Sequence, residues 1–381
     1  MQSRALARQA WVVCLVAALL GPGAALAEWT FVELPPLVAP YAVTARAISN
    51  TGIIVGDAEV GVDPFAFYPW AHGFAYHVGT GQMVDLGTLP PVGNGPFVLT
   101  SQANGVNDWG LVVGEGRFDT EDPTKCRAFI CSASGGPMVD LGVLPGGVNS
   151  RAMAVNNSGV VVGFSETSTV KRAFRWTEVE GMVPLGDPPN WFASEAYAIS
   201  DTGIVAGEAV VSMDPPTSHA TVWNGDQRID LGVLSGGLYS YATGVNSAGM
   251  VTGESGVTGG VHAFLWTAQD GMMDLGLPEG FTGTVGRGIN DSGQVVGWGQ
   301  GPGITAHALL WADGTWTDLH ATYFPDWIFS YASCINDNGW IAGYGLNASY
   351  EMRGWVLIPE PATLGLLGLS LLVVRPRKAR G

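Results

Sequence analysis

The chain has 381 residues and a net charge of −16. That surplus of acid repels nucleic acid and anionic lipid, so neither is expected as a partner. No His-Glu-x-x-His, Gly-x-Ser-x-Gly, Walker or EF-hand pattern occurs anywhere in it, so the common motif-bearing enzyme and calcium classes have no foothold.

Residues 1–27 read as a secretory signal peptide. Arg4 and Arg8 supply the charged start, Trp11 to Leu20 the apolar stretch, and Ala25-Leu-Ala27 a small-residue site with cleavage after Ala27. The apolar run is too short for a spanning anchor. Cys14 lies inside that run with no small residues before it, which argues against a lipoprotein signal. Removing Arg4 and Arg8 takes the net charge to −18.

From residue 28 to 358 one cassette recurs seven times. It is clearest in Val285-Gly-Arg-Gly-Ile-Asn-Asp-Ser-Gly-Gln-Val-Val-Gly297, then His307-Ala-Leu-Leu-Trp311, then Trp316-Thr-Asp318. The turn glycines are Gly52, Gly110, Gly159, Gly203, Gly249, Gly293 and Gly339, and a second glycine follows four residues after each. Each cassette reads as four short strands. The first ends in Ala-x-x-Val/Ile. An Asn-Asp/Asn-x-Gly turn follows, in which Asn and Asp bond their own backbone and Gly supplies positive φ. A β-branched run ending in the second Gly is the second strand. His-Ala-Phe-x-Trp, as in His262 to Trp266, is the third, and Met-Val-Asp-Leu-Gly, as in Met83 to Gly87, the fourth. Four antiparallel strands per unit of about 45 residues indicate propeller blades. Cassette seven has no fourth strand after Trp355-Val-Leu357, whereas Glu28 to Leu34 reads as a fourth strand without a blade. The expected fold is therefore an all-β, seven-bladed propeller whose N-terminal strand completes the C-terminal blade and removes the exposed edges.

Residues 359–381 form a distinct tail: Pro359-Glu360-Pro361, an apolar run from Thr363 to Val374, and the basic cluster Arg375-Pro-Arg-Lys-Ala-Arg380. This order resembles the PEP-CTERM sorting signal of bacteria that make extracellular polysaccharide. The cassettes, with Arg172-Ala-Phe174, His262-Ala-Phe264 and Asp140-Leu-Gly142, look like HAF extracellular repeats. The resemblance implies an exosortase as processing partner, release or transfer to the cell surface or matrix, and transient membrane insertion through the tail. Twelve apolar residues would be marginal for a bilayer and act as a transient stop, with the basic cluster held on the cytoplasmic side. Losing Arg375, Arg377, Lys378 and Arg380 as well would take the charge to −22.

Cys126, Cys131 and Cys334 remain after export. Cys126 and Cys131 flank one predicted strand, roughly 16 Å apart, beyond the reach of a disulfide. No spacing suits zinc, and no cofactor is expected. The repeated His72, His219, His262 and His307, alternating with Arg127 and Arg172, read as structural, bonding a neighbouring blade or turn. The repeated Asp of Asp85-Leu-Gly, Asp140-Leu-Gly, Asp230-Leu-Gly, Asp274-Leu-Gly and Asp318-Leu could bind calcium, but reads better as a backbone hydrogen-bond partner.

The cassettes diverge in length only on one face, where second strands lead to third strands and fourth strands lead to the next blade. Insertions there include Asp63-Pro-Phe-Ala-Phe-Tyr68-Pro-Trp70, Asp119-Thr-Glu-Asp-Pro123 and Asp214-Pro-Pro216. Irregular loops on a regular scaffold are where binding concentrates. The candidate ligand face comprises Asp63, Tyr68, Trp70, Trp191, Phe192, Tyr239, Tyr323 and Trp327, with aromatics to stack on sugar rings; the competing reading has such aromatics plugging blade ends. No residue is assigned a catalytic role. The leading function is a non-catalytic binding or scaffolding module for extracellular polysaccharide or a matrix protein. The alternatives are a glycan lyase or hydrolase using carboxylates among Asp63, Asp119, Glu121, Asp122 and Asp214, and a purely structural matrix component.

Overall fold

A computed structural model describes residues 29–62, 69–95, 97–186, 192–225 and 227–360. The signal peptide expected from the sequence, with Ala27, the tail from Pro361 onward, and Asp63, Tyr68 and Trp191 lie outside the described residues. Among the described residues no helix is long and apolar enough to cross a membrane.

Seven four-stranded antiparallel sheets make a seven-bladed β-propeller. Their first strands are Val43–Ile48, Ser101–Val106, Asn149–Val155, Ala193–Ile199, Ser240–Val245, Gly283–Ile289 and Phe329–Ile335. Successive first strands lie against one another, and that of blade 7 meets that of blade 1. The fourth strand of blade 7 is Trp29–Glu33, paired from Trp29↔Pro359 to Glu33↔Trp355. This is the closure expected from the unmatched ends of the repeat. Pro359, placed in the tail by sequence, is the last residue of the final strand, and the carboxylate of Glu360 accepts a hydrogen bond from the Thr30 hydroxyl.

Both glycines of the cassette have a physical reason. The first closes the turn at φ between 75° and 85° in all seven blades, a region that costs a β-carbon. The second has another cause. Every first strand carries a bulge near its middle, as between Ala152 and Ala154. That bulge pushes a carbonyl into the space where the second glycine's side chain would stand. A Cβ on Gly163 would lie 1.9 Å from the Arg151 carbonyl oxygen, and one on Gly253 1.9 Å from that of Tyr241.

Blades are joined by hydrogen bonds that explain the remaining repeated residues. The repeated histidine bonds the repeated aspartate of its own blade, not a neighbouring blade: His72–Asp85 at 3.0 Å, His219–Asp230 at 2.9 Å, His262–Asp274 at 2.8 Å and His307–Asp318 at 2.8 Å. The same carboxylates accept from the backbone two residues on, Gly87 N–H at 2.8 Å and Gly276 N–H at 2.7 Å. The fourth strand stops at this Asp, so the Leu of Asp-Leu-Gly turns inward and is buried, as Leu86 and Leu275 show. The corner's glycine carbonyl then receives a buried hydroxyl from the next blade: Ser150 Oγ donates to the Gly142 carbonyl at 2.6 Å and accepts from Ala128 N–H at 2.9 Å. Ser101, Ser240 and Thr284 make the equivalent pair of bonds.

At the first turns, Asn side chains do more than close their own hairpins. Asn156 Oδ1 accepts from Val160 N–H at 3.0 Å, while its Nδ2 donates across to the Ser200 carbonyl at 3.1 Å. Asn107, Asn246, Asn290 and Asn336 also reach the following blade.

Three junctions depart from the pattern, and between blades 3 and 4 Pro184 stands where most other corners have Asp. Where blade 7 meets blade 1, Val43 replaces the buried hydroxyl and packs with Leu34 against Gly354. Between blades 6 and 7 a short helix, Leu319–Tyr323, interrupts the all-strand pattern, because His320 stands where the other corners have Gly. Asp318 caps it, accepting from Ala321 N–H at 3.0 Å. His320 is buried, bonded through Nδ1 to Ser330 Oγ at 2.8 Å, and stacked on His307 with ring centroids 3.9 Å apart. Burial, aided by His307, pushes its pKa from 6.5 down to about 4. Cys126 and Cys131 carry free thiols, pushed up by burial to about 11 and about 12.

Three stability outcomes follow. Gly163→Ala should lower unfolding free energy by about 3 kcal/mol through overpacking, whereas Gly79→Ala, which meets nothing within 4 Å, should be near neutral; equal denaturant midpoints would refute the carbonyl-clash account. Ser150→Ala strands a buried N–H and a carbonyl and should cost about 2 kcal/mol in the same assay. His320 binds its proton in the unfolded chain near pH 6.5 but in the fold only near pH 4. Stability it confers is therefore present above pH 6.5 and drains as pH falls toward 4. The stability gap between wild type and His320→Gln should narrow over that window, and a gap that is constant or widens contradicts the buried neutral imidazole.

Candidate functional site

The antiparallel topology puts the tight Asn turns on one face and the variable connections on the other. On the turn face, Asn50, Asp108, Asn157, Asp201, Ser247, Asp291 and Asp337 ring the channel mouth above Ile48, Val106, Val155, Ile199, Val245, Ile289 and Ile335. The ring is internally bonded. Asp108 N–H donates to Asn157 Oδ1 at 2.9 Å, and Asn157 Nδ2 bridges Asp108 Oδ2 and Asp201 Oδ2, each at 2.8 Å. These carboxylates are occupied by inter-blade contacts.

The opposite face holds a cavity of about 920 Å³ between blades 1 and 2, floored by Arg151 of blade 3. This is near the upper end of the usual range for small-molecule clefts, about 300–1,000 Å³. Trp70 opens the third strand of blade 1 and lies over Gly61, which leaves room for the indole. Phe97 comes from the connection into blade 2 and is 40% exposed. Asp57 and Glu115 occupy the same cassette position, the residue after the second glycine. Asp57 is held by Arg46 at 2.7 Å and Gln102 at 3.1 Å.

Glu115 faces Arg151, whose Nη1 donates to Oε1 at 3.0 Å; Oε2 is 2.8 Å from the same nitrogen but lacks hydrogen-bond geometry. Burial pushes the Glu115 carboxyl above the ordinary glutamate range, against the opposing pull of Arg151, Arg46 and Arg117. Arg117 makes no side-chain hydrogen bond or ion pair within 4 Å among the described residues.

Buried polar atoms without partners are rare in folded proteins and point to a missing ligand or water. Of the four such side-chain atoms among the described residues, three are on residues that line this cavity, Trp70 Nε1, Glu115 Oε2 and Arg151 Nε; the three atoms themselves are buried behind its wall, and Glu115 Oε2 is 2.8 Å from the Arg151 guanidinium. The fourth, Trp355 Nε1, lies in the core of blade 7.

The aromatics named from sequence do not gather on one platform. Of the described ones, Trp70 lines the cavity. Tyr323 and Trp327 are plugs of the closing blade: the Tyr323 ring meets Trp29 at 6.2 Å edge-on, and Trp327 packs on Phe31 and Phe324. Tyr239 covers Gly256 and tilts against Tyr241 at 5.3 Å. Phe192 is 45% exposed at blade 4, where its carbonyl accepts from Arg172 at 2.6 Å.

Of the described carboxylates proposed from loop sequence, Asp119, Glu121 and Asp122 share one loop of blade 2 and Asp214 is in blade 4. Asp119 Oδ1 accepts from Glu121 and Asp122 N–H at 2.8 and 3.1 Å. Asp122 is held below the usual aspartate range by the hydroxyl and N–H of Thr124. Asp214 sits at a hairpin tip in blade 4. Among the described residues no group of three His, Cys, Asp or Glu side chains is placed to hold a metal ion, and four of the repeated aspartates are engaged by histidine and backbone.

Loop length was the wrong signal for the cavity's polar residues. A better one is variation at a fixed strand position: the residue after the second glycine is Asp57, Glu115, Phe164, Glu208, Glu254, Trp298 and Tyr344 in turn.

No protein-family model matches the chain, and no curated protein matches it. Among solved structures, the β-propeller domain of the Trilobed protease from Pyrococcus furiosus, described as having an open velcro topology, aligns with TM-score 0.57 at 10% identity, over 85% of this chain and 95% of that one. Dipeptidyl peptidase 4 from Porphyromonas gingivalis aligns with TM-score 0.45 at 9% identity, over 84% of this chain and 52% of that one. The fucose-specific lectin from Aleuria aurantia aligns with TM-score 0.35 at 12% identity, over 69% and 96% respectively. The first supports the propeller fold; none identifies a ligand.

Proposed function

We propose that the protein is an exported, non-catalytic propeller that binds extracellular glycan in the cavity between blades 1 and 2. The observation that carries the reading is the set of side chains that line that cavity: the aromatics Trp70 and Phe97 beside Asp57, Gln102, Glu115, Arg117 and Arg151. A ligand there meets both donors and acceptors, which suits sugar hydroxyls. Trp70 and Phe97 supply the apolar faces on which a sugar ring packs. The sequence at the two ends supports the address: a signal peptide at residues 1–27 and a tail resembling the PEP-CTERM signal, which would make an exosortase the processing partner and the envelope, surface or matrix the destination. The acidic net charge speaks against nucleic acid.

An enzymatic reading has one specific observation in its favour, the raised carboxyl of Glu115 in a cavity shared with Asp57. Both carboxylates are committed to guanidinium groups, so binding is the better account.

Full-length protein and Trp70→Ala should be compared on a glycan array, with hits titrated and assayed for product release. Trp70→Ala should weaken the strongest hit about tenfold or more, roughly 1.4 kcal/mol. Unchanged affinity would remove the cavity from consideration, and turnover of a hit would favour the lyase or hydrolase.

A further inference from the structure

One charge that lines the cavity has no partner among the described residues. Arg46 is taken by Asp57 and Arg151 by Glu115, at 2.7 and 2.8 Å. Arg117 lines the same cavity and makes no side-chain hydrogen bond or ion pair among the described residues. On a chain whose net charge is −16, this is an unpaired guanidinium facing a half-open, partly aromatic space.

We propose that the cavity takes a carboxylated sugar, a hexuronate unit of an acidic polysaccharide, with Arg117 receiving the carboxylate. The guanidinium fork matches a carboxylate in a bidentate geometry, which a neutral hexose cannot supply. The remaining groups sort themselves by chemistry. Gln102 and Thr124 offer polar groups to hydroxyls, and Trp70 and Phe97 cover the ring faces. A phosphorylated or sulfated sugar fits less well, since one unpaired guanidinium beside Asp57 and Glu115 does not compensate a group carrying more charge than a carboxylate or lacking its planar fork. The proposal rests on the reading of the cavity as a glycan site and adds its charge class.

The test is calorimetric titration of the full chain with oligomers of galacturonate, glucuronate and mannuronate, each paired with its carboxyl-reduced neutral counterpart. At least one acidic oligomer should bind about tenfold tighter than its reduced partner, with the preference shrinking in salt on the order of 0.5 M. Arg117 is exposed, so Arg117→Gln should keep the melting temperature, lose the acidic preference about tenfold, and bind the reduced oligomers as the wild type does. A reduced partner that binds as tightly, or an acidic preference that survives Arg117→Gln, overturns the charge assignment and leaves the glycan reading standing. Absence of binding by every oligomer, acidic and neutral, overturns both.

Discussion

A buried hydroxyl at the start of the first strand is the contact on which the ring turns. Ser150 takes a hydrogen bond from Ala128 N–H on the preceding blade's third strand and gives one to the Gly142 carbonyl on that blade's last corner. The corner is shaped by Asp140, which holds Gly142 N–H at 2.7 Å and faces Arg127, the residue next to Ala128. The chain of contacts therefore returns to where it began. His72, Asp85, Gly87, Ser101 and Gly73 close the same loop between blades 1 and 2. Polar circuits of this kind stabilise well only when every member is satisfied, because in a dry interface an unpaired donor or acceptor is costly. Three motifs that look separate in sequence, His-Ala-Phe, Asp-Leu-Gly and Ser-x-Ala, are the parts of one joint.

The places where the joint is modified show what it must achieve. Between blades 3 and 4 the corner residue is Pro184 rather than Asp, so the carboxylate is missing. The Gly186 carbonyl is instead engaged by Arg228 Nε at 2.6 Å and Trp223 Nε1 at 3.3 Å, and Arg228 Nη2 holds the Leu185 carbonyl at 2.6 Å. At the closing seam the hydroxyl gives way to Val43 and Leu34 packed on Gly354, while Leu34 N–H donates to the Gly354 carbonyl at 2.9 Å. Apolar packing at the seam tolerates small errors of register better than directional bonds do.

The fold was legible because each repeated residue reports a backbone requirement that is the same in every blade. Gly52 and its equivalents mark the turns, and Trp29 to Glu33 finds its place because cassette seven ends one strand short. The second glycine was visible as a regularity, but its cause, a carbonyl displaced by a bulge on another strand, depends on a three-dimensional clash no spacing reveals. The helix at Leu319–Tyr323 was hidden for the opposite reason: a single residue, His320, replaces the corner glycine in one cassette only. Loop aromatics were ambiguous because Trp and Tyr serve equally as plugs and as platforms. Trp327 and Tyr323 turned out to seal the seam, and Trp70 entered the cavity beside Phe97.

The geometry that conceals the cavity in sequence also makes it possible. Along a second strand successive residues point to opposite sides, so Gly114 meets the bulged strand of its own blade while Glu115, one step on, reaches Arg151 of the following blade. The glycine is constrained by the ring; its neighbour is not, and across the seven blades it ranges from Asp57 and Glu115 to Trp298 and Tyr344. Those last two belong to an aromatic cluster with Tyr331 in blades 6 and 7, at ring separations of 5.2 Å. A rigid circuit at the joints thus leaves one inward position per blade free to carry chemistry. Because that position lies on a paired strand, the groups it presents at the cavity are held in fixed relation, which limits the conformational entropy that a ligand must overcome on binding.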